Sequence, residues 1–292
     1  VNSLEADNVP LAILIGLIST TQLHLAKALE RQGIEVFDQL RARIKQTGNY
    51  VEGDVKKPII YTFGVVLNNT IFIYAIIAQR YAPPAIYTSM FGVGLIFLML
   101  YAWKVLGERI TLRHALGSVA IIIGTLVLGV ENILHQDVDR FDMSLTPTFI
   151  LVAAFLTLGA LAMISTARTH RSHLIASVFG IFCGGYGSLD PFLKGIAQNI
   201  QGQPEWIPGS WQGWAVFLPS FMIGFLSFAL TQVAFAKKAP ASVFVPFYNA
   251  SYILLPVVLQ VILLPTYKLY WSTCIGIASI ILGIALMRSV IH

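Results

Sequence analysis

The stretch from residue 84 to residue 130 reads PAIYTSMFGVGLIFLMLYAWKVLGERITLRHALGSVAIIIGTLVLGV, two apolar runs joined by a short connection that carries Lys104, Arg109 and Arg113. Each run is about the 20 residues that a helix needs to cross a ~30 Å hydrocarbon layer. A soluble domain has no interior large enough to hide two adjacent runs of this kind, and the pattern recurs from end to end. Of the 292 residues, 56% are apolar and 11% are charged, with a mean hydropathy of +0.74. That composition lies well outside the soluble globular range and implies an all-α polytopic membrane protein.

Working outward from this stretch, spans are expected near 9–29, 58–79, 84–106, 112–130, 147–166, 174–200, 211–236, 243–264 and 270–290. Cytoplasmic connections are enriched in Lys and Arg, so a correct set of spans alternates between basic-rich and basic-poor loops. The first loop carries Arg31, Arg41, Arg43, Lys45, Lys56 and Lys57, the third Lys104, Arg109 and Arg113, the fifth Arg168 and Arg171, and the seventh Lys237 and Lys238. The opposite side holds only Arg80, Arg140 and Lys268, and its loop from Glu131 to Pro147 contains Asp137, Asp139 and Asp142. Nine spans follow, with the amino terminus outside and Arg288 at a cytoplasmic carboxy end. Acids Glu5 and Asp7 precede the first span in place of a basic flank, which reads as a permanent span.

The formal charge of +5 is dispersed among these loops, so it reports topology and gives no patch for a nucleic acid. Cys183 and Cys274 both lie in apolar runs and form neither a disulfide framework nor a metal-type spacing. Between Gln32 and Lys57, Ile34, Phe37, Leu40 and Ile44 recur at helical spacing beside Arg41, Arg43 and Lys45. A short amphipathic helix on the inner leaflet, in contact with membrane lipid, is expected there, with a solvated linker as the alternative.

An internal repeat is also visible. Ala82-Pro83 and Ala239-Pro240 each open an apolar stretch, and Gly117 and Gly124 answer to Gly276 and Gly283. The offset is 157 residues at the Ala-Pro pairs and 159 at the glycines. The first set of spans would start in the cytoplasm and the second outside, so the repeat is inverted in the membrane. The expected units are 1–146, with four spans and the amphipathic segment, and 147–292, with five.

With those elements in view, the chain resembles the NIPA-type magnesium transporters within the drug/metabolite transporter (DMT, EamA-like) superfamily. Ser19-Thr20-Thr21 followed by Lys27 and Arg31-Gln32-Gly33 looks like the family's opening, and Asn68-Asn69 with Ala82-Pro83-Pro84-Ala85 like its Asn-containing second helix. Cys183-Gly184, Gly187-Ser188 and Lys194 are similar to its Gly-Ser helix, and Gln232, Lys238-Ala239 and Pro246-Phe247-Tyr248 to its later motifs. Leu106-Gly107-Glu108-Arg109 matches a motif of the wider superfamily. The resemblance implies a first half lacking one helix of a ten-helix plan, a location in the plasma (inner) membrane, and transport of a divalent cation such as magnesium.

A central charge in a span costs about 2.5 to 3.5 kcal/mol on insertion scales, so buried ionisable groups need a reason. Asp190, before Pro191 and after Gly184, Gly185 and Gly187, is the leading candidate for binding substrate or metal. The surrounding Gly and Pro favour a broken helix there, while an i, i+4 ion pair with Lys194 is the competing reading. Asn68, Asn69, Asn249, Tyr248, Gln232 and Lys194 are further substrate-binding candidates, interhelical hydrogen bonding being the alternative for each amide. His24, beside Gln22, is a candidate proton relay or a packing histidine.

No phosphate-binding loop, zinc-protease helix or paired catalytic acids occur, which argues against an enzyme, a cofactor or ATP-driven transport. The expected function is secondary transport or facilitated passage. One alternative is export of a small organic metabolite such as an amino acid or nucleoside, suggested by Tyr87, Phe91, Phe247, Tyr248 and Tyr252. Another is a non-transporting scaffold subunit that docks partners on the Gln32–Lys57 loop. A homodimer or a larger membrane complex is compatible with either.

Overall fold

The computed structural model describes residues 8–34, 56–78, 81, 87, 90–107, 110–134, 144–169, 171–200, 207–263 and 269–288, and over these it is helical throughout. The helices are α1 (Val9–Gly33), α2 (Lys56–Asn69), α3 (Ile71–Ala78), α4 (Leu95–Lys104), α5 (Leu112–Leu134), α6 (Leu145–Ala167), α7 (Ser172–Asn199), α8 (Trp211–Ala236), α9 (Ala241–Leu263) and α10 (Trp271–Arg288). A 3-10 turn, Met90–Gly92, precedes α4. Among the described residues, seven helical stretches are long and apolar enough to cross a membrane, α2 and α3 counting together as Lys56–Ala78. Two shorter apolar helices, Leu95–Lys104 and Trp271–Leu286, stand where the third and ninth spans were expected. The protein is thus an integral membrane protein by the length and composition of its helices.

Several sequence expectations fall outside the described residues. These are most of the amphipathic segment (35–55), the Ala82-Pro83 pair, Glu108 and Arg109, the acidic loop at 135–143, and Lys268.

The apolar surface is arranged as a bilayer demands. Leu158, Leu161 and Ile164 on the peripheral α6 are all more than half exposed, a cost in water but none in lipid. At the other extreme, 78% of the span on α9 is buried, against 22% on α6, which makes α9 the central helix. It packs most extensively on α7, and α7 in turn on α8.

The glycines of α7 account for that closeness. A Cβ at Gly180 would lie 2.6 Å from the Phe244 carbonyl oxygen, and one at Gly184 would overlap the Tyr248 backbone. The expected break in this helix does not occur: α7 runs continuously from Ser172 to Asn199 through Pro191. The Gly-rich face is used for helix contact, and Pro191 removes a single backbone donor without ending the helix.

α5 and α10 cross through the other glycine set. A Cβ at Gly124 would lie 2.5 Å from the Gly276 carbonyl oxygen and 2.7 Å from Ile280 Cγ1; one at Gly283 would lie 2.5 Å from the Gly117 carbonyl oxygen and 2.7 Å from Ile121 Cγ1. The contacts are reciprocal: each of the two helices offers the other the same atoms at the same separations. The Ser279 hydroxyl donates to the Ala120 carbonyl at 2.8 Å, and the Thr273 hydroxyl donates to the Glu131 carboxylate.

The second span is interrupted at Thr70 between α2 and α3. There the Gln22 amide donates to the Leu67 carbonyl at 2.8 Å and to the Thr70 hydroxyl at 2.7 Å, while the Tyr74 hydroxyl donates to Gln22 Oε1 at 3.0 Å. Side chains thereby satisfy the backbone that the interruption frees.

Candidate functional site

Where α1, α2, α3, α7, α8 and α9 meet, the helices line a partly open cavity of about 330 Å³. Its polar lining includes Lys27, Asn68, Asn69, Asp190, Tyr248 and Tyr252, and Phe72, Phe221, Phe225 and Phe228 supply much of the rest. A small, mostly aromatic chamber with a few polar groups has the character of a site for a small molecule. Four expected site residues, Asn68, Asn69, Asp190 and Tyr248, are brought together on this wall. The other three, and His24, are not on it.

Asp190 and Lys194 form the ion pair of the competing reading. Lys194 Nζ lies 2.6 Å from Oδ1 and 2.8 Å from Oδ2 of Asp190, so both carboxylate oxygens face one ammonium. The lysine side chain is fully buried, with Nζ 3.7 Å from the centroid of the Phe221 ring. Lys194 therefore stands behind the cavity wall as the counterion of Asp190. A metal ion at Asp190 would have to compete with it, and among the described residues no three His, Cys, Asp or Glu side chains cluster to help hold one.

Gln232 and Asn68 converge on a residue that sequence reasoning passed over. Glu30 is fully buried, and its carboxylate accepts from Asn68 Nδ2 at 2.8 Å and from Gln232 Nε2 at 2.5 Å. Tyr61 donates to Gln232 Oε1 at 3.0 Å, which fixes the amide with its nitrogen toward the acid. The amides thus serve an internal carboxylate. Asn69 turns the other way and donates to the Val65 carbonyl of its own helix at 2.8 Å.

Lys27, one turn before Glu30, is the second residue passed over beyond its place in a motif. It is 2% exposed, and its Nζ stands 3.8 Å from the centroid of the Tyr248 ring. Both residues lie in α1, which continues to Gly33 and so carries them into the protein rather than into a loop. The readable signal was Lys27 and Glu30 three apart among Ala26, Ala28 and Leu29, a spacing that sets two charges on one helix face.

Comparison of the chain with protein-family models, curated proteins and solved structures finds no match.

His24 and Asn249 pair away from the cavity, both fully buried. The Thr20 carbonyl can only accept, so His24 Nδ1–H donates to it at 2.6 Å; Asn249 Nδ2 can only donate, so it donates to His24 Nε2 at 2.6 Å. With the ring neutral, Nδ1 is engaged by the Thr20 carbonyl and Nε2 by the Asn249 amide. The pairing ties α1 to the central helix α9.

Proposed function

We propose that the protein is a secondary membrane transporter or facilitator that carries a small organic solute through the cavity between its two halves. The observation that carries this reading is the composition of the cavity wall: α1, α2 and α3 come from the first half, α7, α8 and α9 from the second, and ionisable residues from both halves face the space. A site shared by two bodies can be opened toward either side by rocking one against the other. In this reading the chain has nine spans in an inverted 4+5 arrangement, with the amino terminus outside and the carboxy terminus in the cytoplasm of a plasma (inner) membrane. The reciprocal crossing of α5 and α10 through Gly117, Gly124, Gly276 and Gly283 supports the inverted repeat, since equivalent residues in each half meet the same partners.

An organic solute is favoured over magnesium by the charges at the wall. Magnesium prefers carboxylate and neutral oxygen donors in an octahedral shell, whereas here Asp190 is already paired with Lys194 and Lys27 adds a second cation. A scaffold subunit would be expected to have a dry, packed centre, and the cavity at Asp190 speaks against that.

Alternating exposure is testable without knowing the substrate. A cysteine in place of cavity-lining Ser227, in a Cys274→Ser background, is probed with a membrane-impermeant maleimide in right-side-out and inside-out vesicles. Labelling from both faces is expected. Labelling from one face only would overturn alternating exposure, and none from either face would favour the scaffold. Protection by magnesium and by no organic solute would restore cation transport.

A further inference from the structure

The cavity presents one ionic group whose own atoms make no ion-pair contact and no hydrogen bond. Lys27 Nζ has neither an ion pair within 4.0 Å nor a hydrogen-bond partner among the described residues; it stands over the face of Tyr248, with the Glu30 carboxylate one turn on as the opposite charge that balances it. The other three charged groups of this region are turned away or neutralised. Lys194 is fully buried behind Asp190, both oxygens of Asp190 contact Lys194, and both oxygens of Glu30 accept from Asn68 and Gln232. Glu30 follows Lys27 by three residues on the same face of α1 and balances it in net charge, but its carboxylate oxygens are taken by Asn68 and Gln232 and it does not line the cavity. The space is therefore offered the positive end of a buried charge pair.

A buried ammonium with no acceptor from the protein for its three donors is open to one from a ligand. An aromatic face satisfies the charge in part and accepts no conventional hydrogen bond. We infer that Lys27 is the anchor for the carboxylate of a monoanionic organic substrate whose apolar or aromatic body rests among Phe72, Phe221, Phe225 and Phe228. This rests on the reading of the cavity as a transport site and names its substrate class.

The alternatives differ in charge. A divalent cation would be repelled by Lys27. A dianionic phosphate calls for more than one cation or an array of donors, and here its second charge would lie in a low-dielectric space whose neighbours include Asp190. A monocarboxylate matches one free ammonium. The volume of about 330 Å³ is at the lower end for small-molecule sites, which suits a single ring or short chain over a dinucleotide or a lipid.

The experiment is equilibrium binding of radiolabelled benzoate and phenylacetate to the purified full-length chain in detergent. Unlabelled benzoate, benzyl alcohol, inorganic phosphate and magnesium chloride serve as competitors. Saturable binding is expected, displaced by unlabelled benzoate and by none of the other three. Lys27→Met is expected to weaken it at least tenfold. Because that variant leaves Glu30 buried without its counterion, the double variant Lys27→Met/Glu30→Gln keeps the buried charge balanced and is expected to lose binding equally.

The proposal is overturned if neither carboxylate binds saturably, if either variant binds as the wild type does, if benzyl alcohol competes as well as benzoate, or if phosphate or magnesium competes in its place. Labelling of the Ser227→Cys protein from both faces with no carboxylate binding would retire the substrate class and leave the transport reading standing. Carboxylate binding with no labelling would do the reverse.

Discussion

Replacing Gly283 with Ala puts a methyl group where the structure has no room for one. Its Cβ would lie 2.5 Å from the Gly117 carbonyl oxygen and 2.7 Å from Ile121 Cγ1, with the Ile121 amide nitrogen at 3.1 Å. Two of those three atoms are backbone, so no rotamer change relieves the overlap and α10 must move away from α5. Restoring ordinary contact requires roughly 1 Å of separation, a gap that forfeits a quarter to a half of each neighbouring pair's attraction. Overpacking of this kind costs about 1 to 3 kcal/mol, and against a backbone atom the upper end applies. Ala is a better helix former than Gly by about 1 kcal/mol, which leaves a net loss of about 2 kcal/mol. Gly124→Ala meets Gly276 and Ile280 at the same distances, so its cost should equal that of Gly283→Ala. Once one substitution has separated the helices, the second has less overlap to relieve. The double variant is therefore expected to lose about 3 kcal/mol rather than 4, a departure from additivity typical of sites that share a backbone shift. Reversible unfolding of the full chain in mixed micelles measures all three. Either single variant within about 0.5 kcal/mol of wild type, or single costs differing more than twofold, would refute the reasoning.

Two further predictions concern the buried charges. Gln232→Leu removes a donor from the Glu30 carboxylate and is expected to destabilise by about 1.5 to 3 kcal/mol, the range for hydrogen bonds to charged groups; in a Glu30→Gln background the same change should cost clearly less, and an equal cost in a double-mutant cycle by unfolding would show that the contact at 2.5 Å contributes nothing. Lys194→Met strands Asp190 and is expected to cost about 3 to 5 kcal/mol, whereas Asp190→Leu/Lys194→Met together should be near neutral; a double variant as unstable as the single one would deny that the pair acts as a unit.

Much of the helix plan was legible because it depends on quantities local to the chain. The seven long apolar helices follow from hydropathy, and each begins and ends within several residues of the expected span. The Gly117, Gly124, Gly276 and Gly283 pattern was legible as a spacing, and its meaning, a reciprocal crossing, became visible once α5 and α10 lay together. The glycines of α7 show the opposite outcome. Gly184, Gly185 and Gly187 ahead of Pro191 suggested a broken helix, yet Gly184 and Gly187 admit Tyr248 of α9, Gly185 admits Phe155 of α6, and the helix continues. A glycine's role is set by what lies opposite it, and that neighbour is distant in sequence.

The candidate site divides in the same way. Asp190, Asn68, Asn69 and Tyr248 stood out as polar groups within apolar runs, and all four line the cavity. Lys27 and Glu30 did not stand out as site residues, because charges near the end of a span look like those of the loop beside it. They became internal when α1 extended to Gly33 and Asn68 from α2 and Gln232 from α8 closed on Glu30.

By itself, then, the sequence determined that the chain belongs in a membrane, roughly where its helices run, and which polar side chains those helices must carry at depth. Hydropathy is additive along the chain, so a window of 20 residues is enough to decide it. Only the tertiary structure decided which charges cancel and which remains available. Asp190 met Lys194 on its own helix, Glu30 found its donors on two others, and Lys27 was left facing the cavity over Tyr248. Charge compensation in a low-dielectric interior depends on separations of a few ångströms; the i, i+4 spacing of Asp190 and Lys194 is local and readable, whereas Asn68 and Gln232 reach Glu30 from distant segments, and no local pattern encodes that.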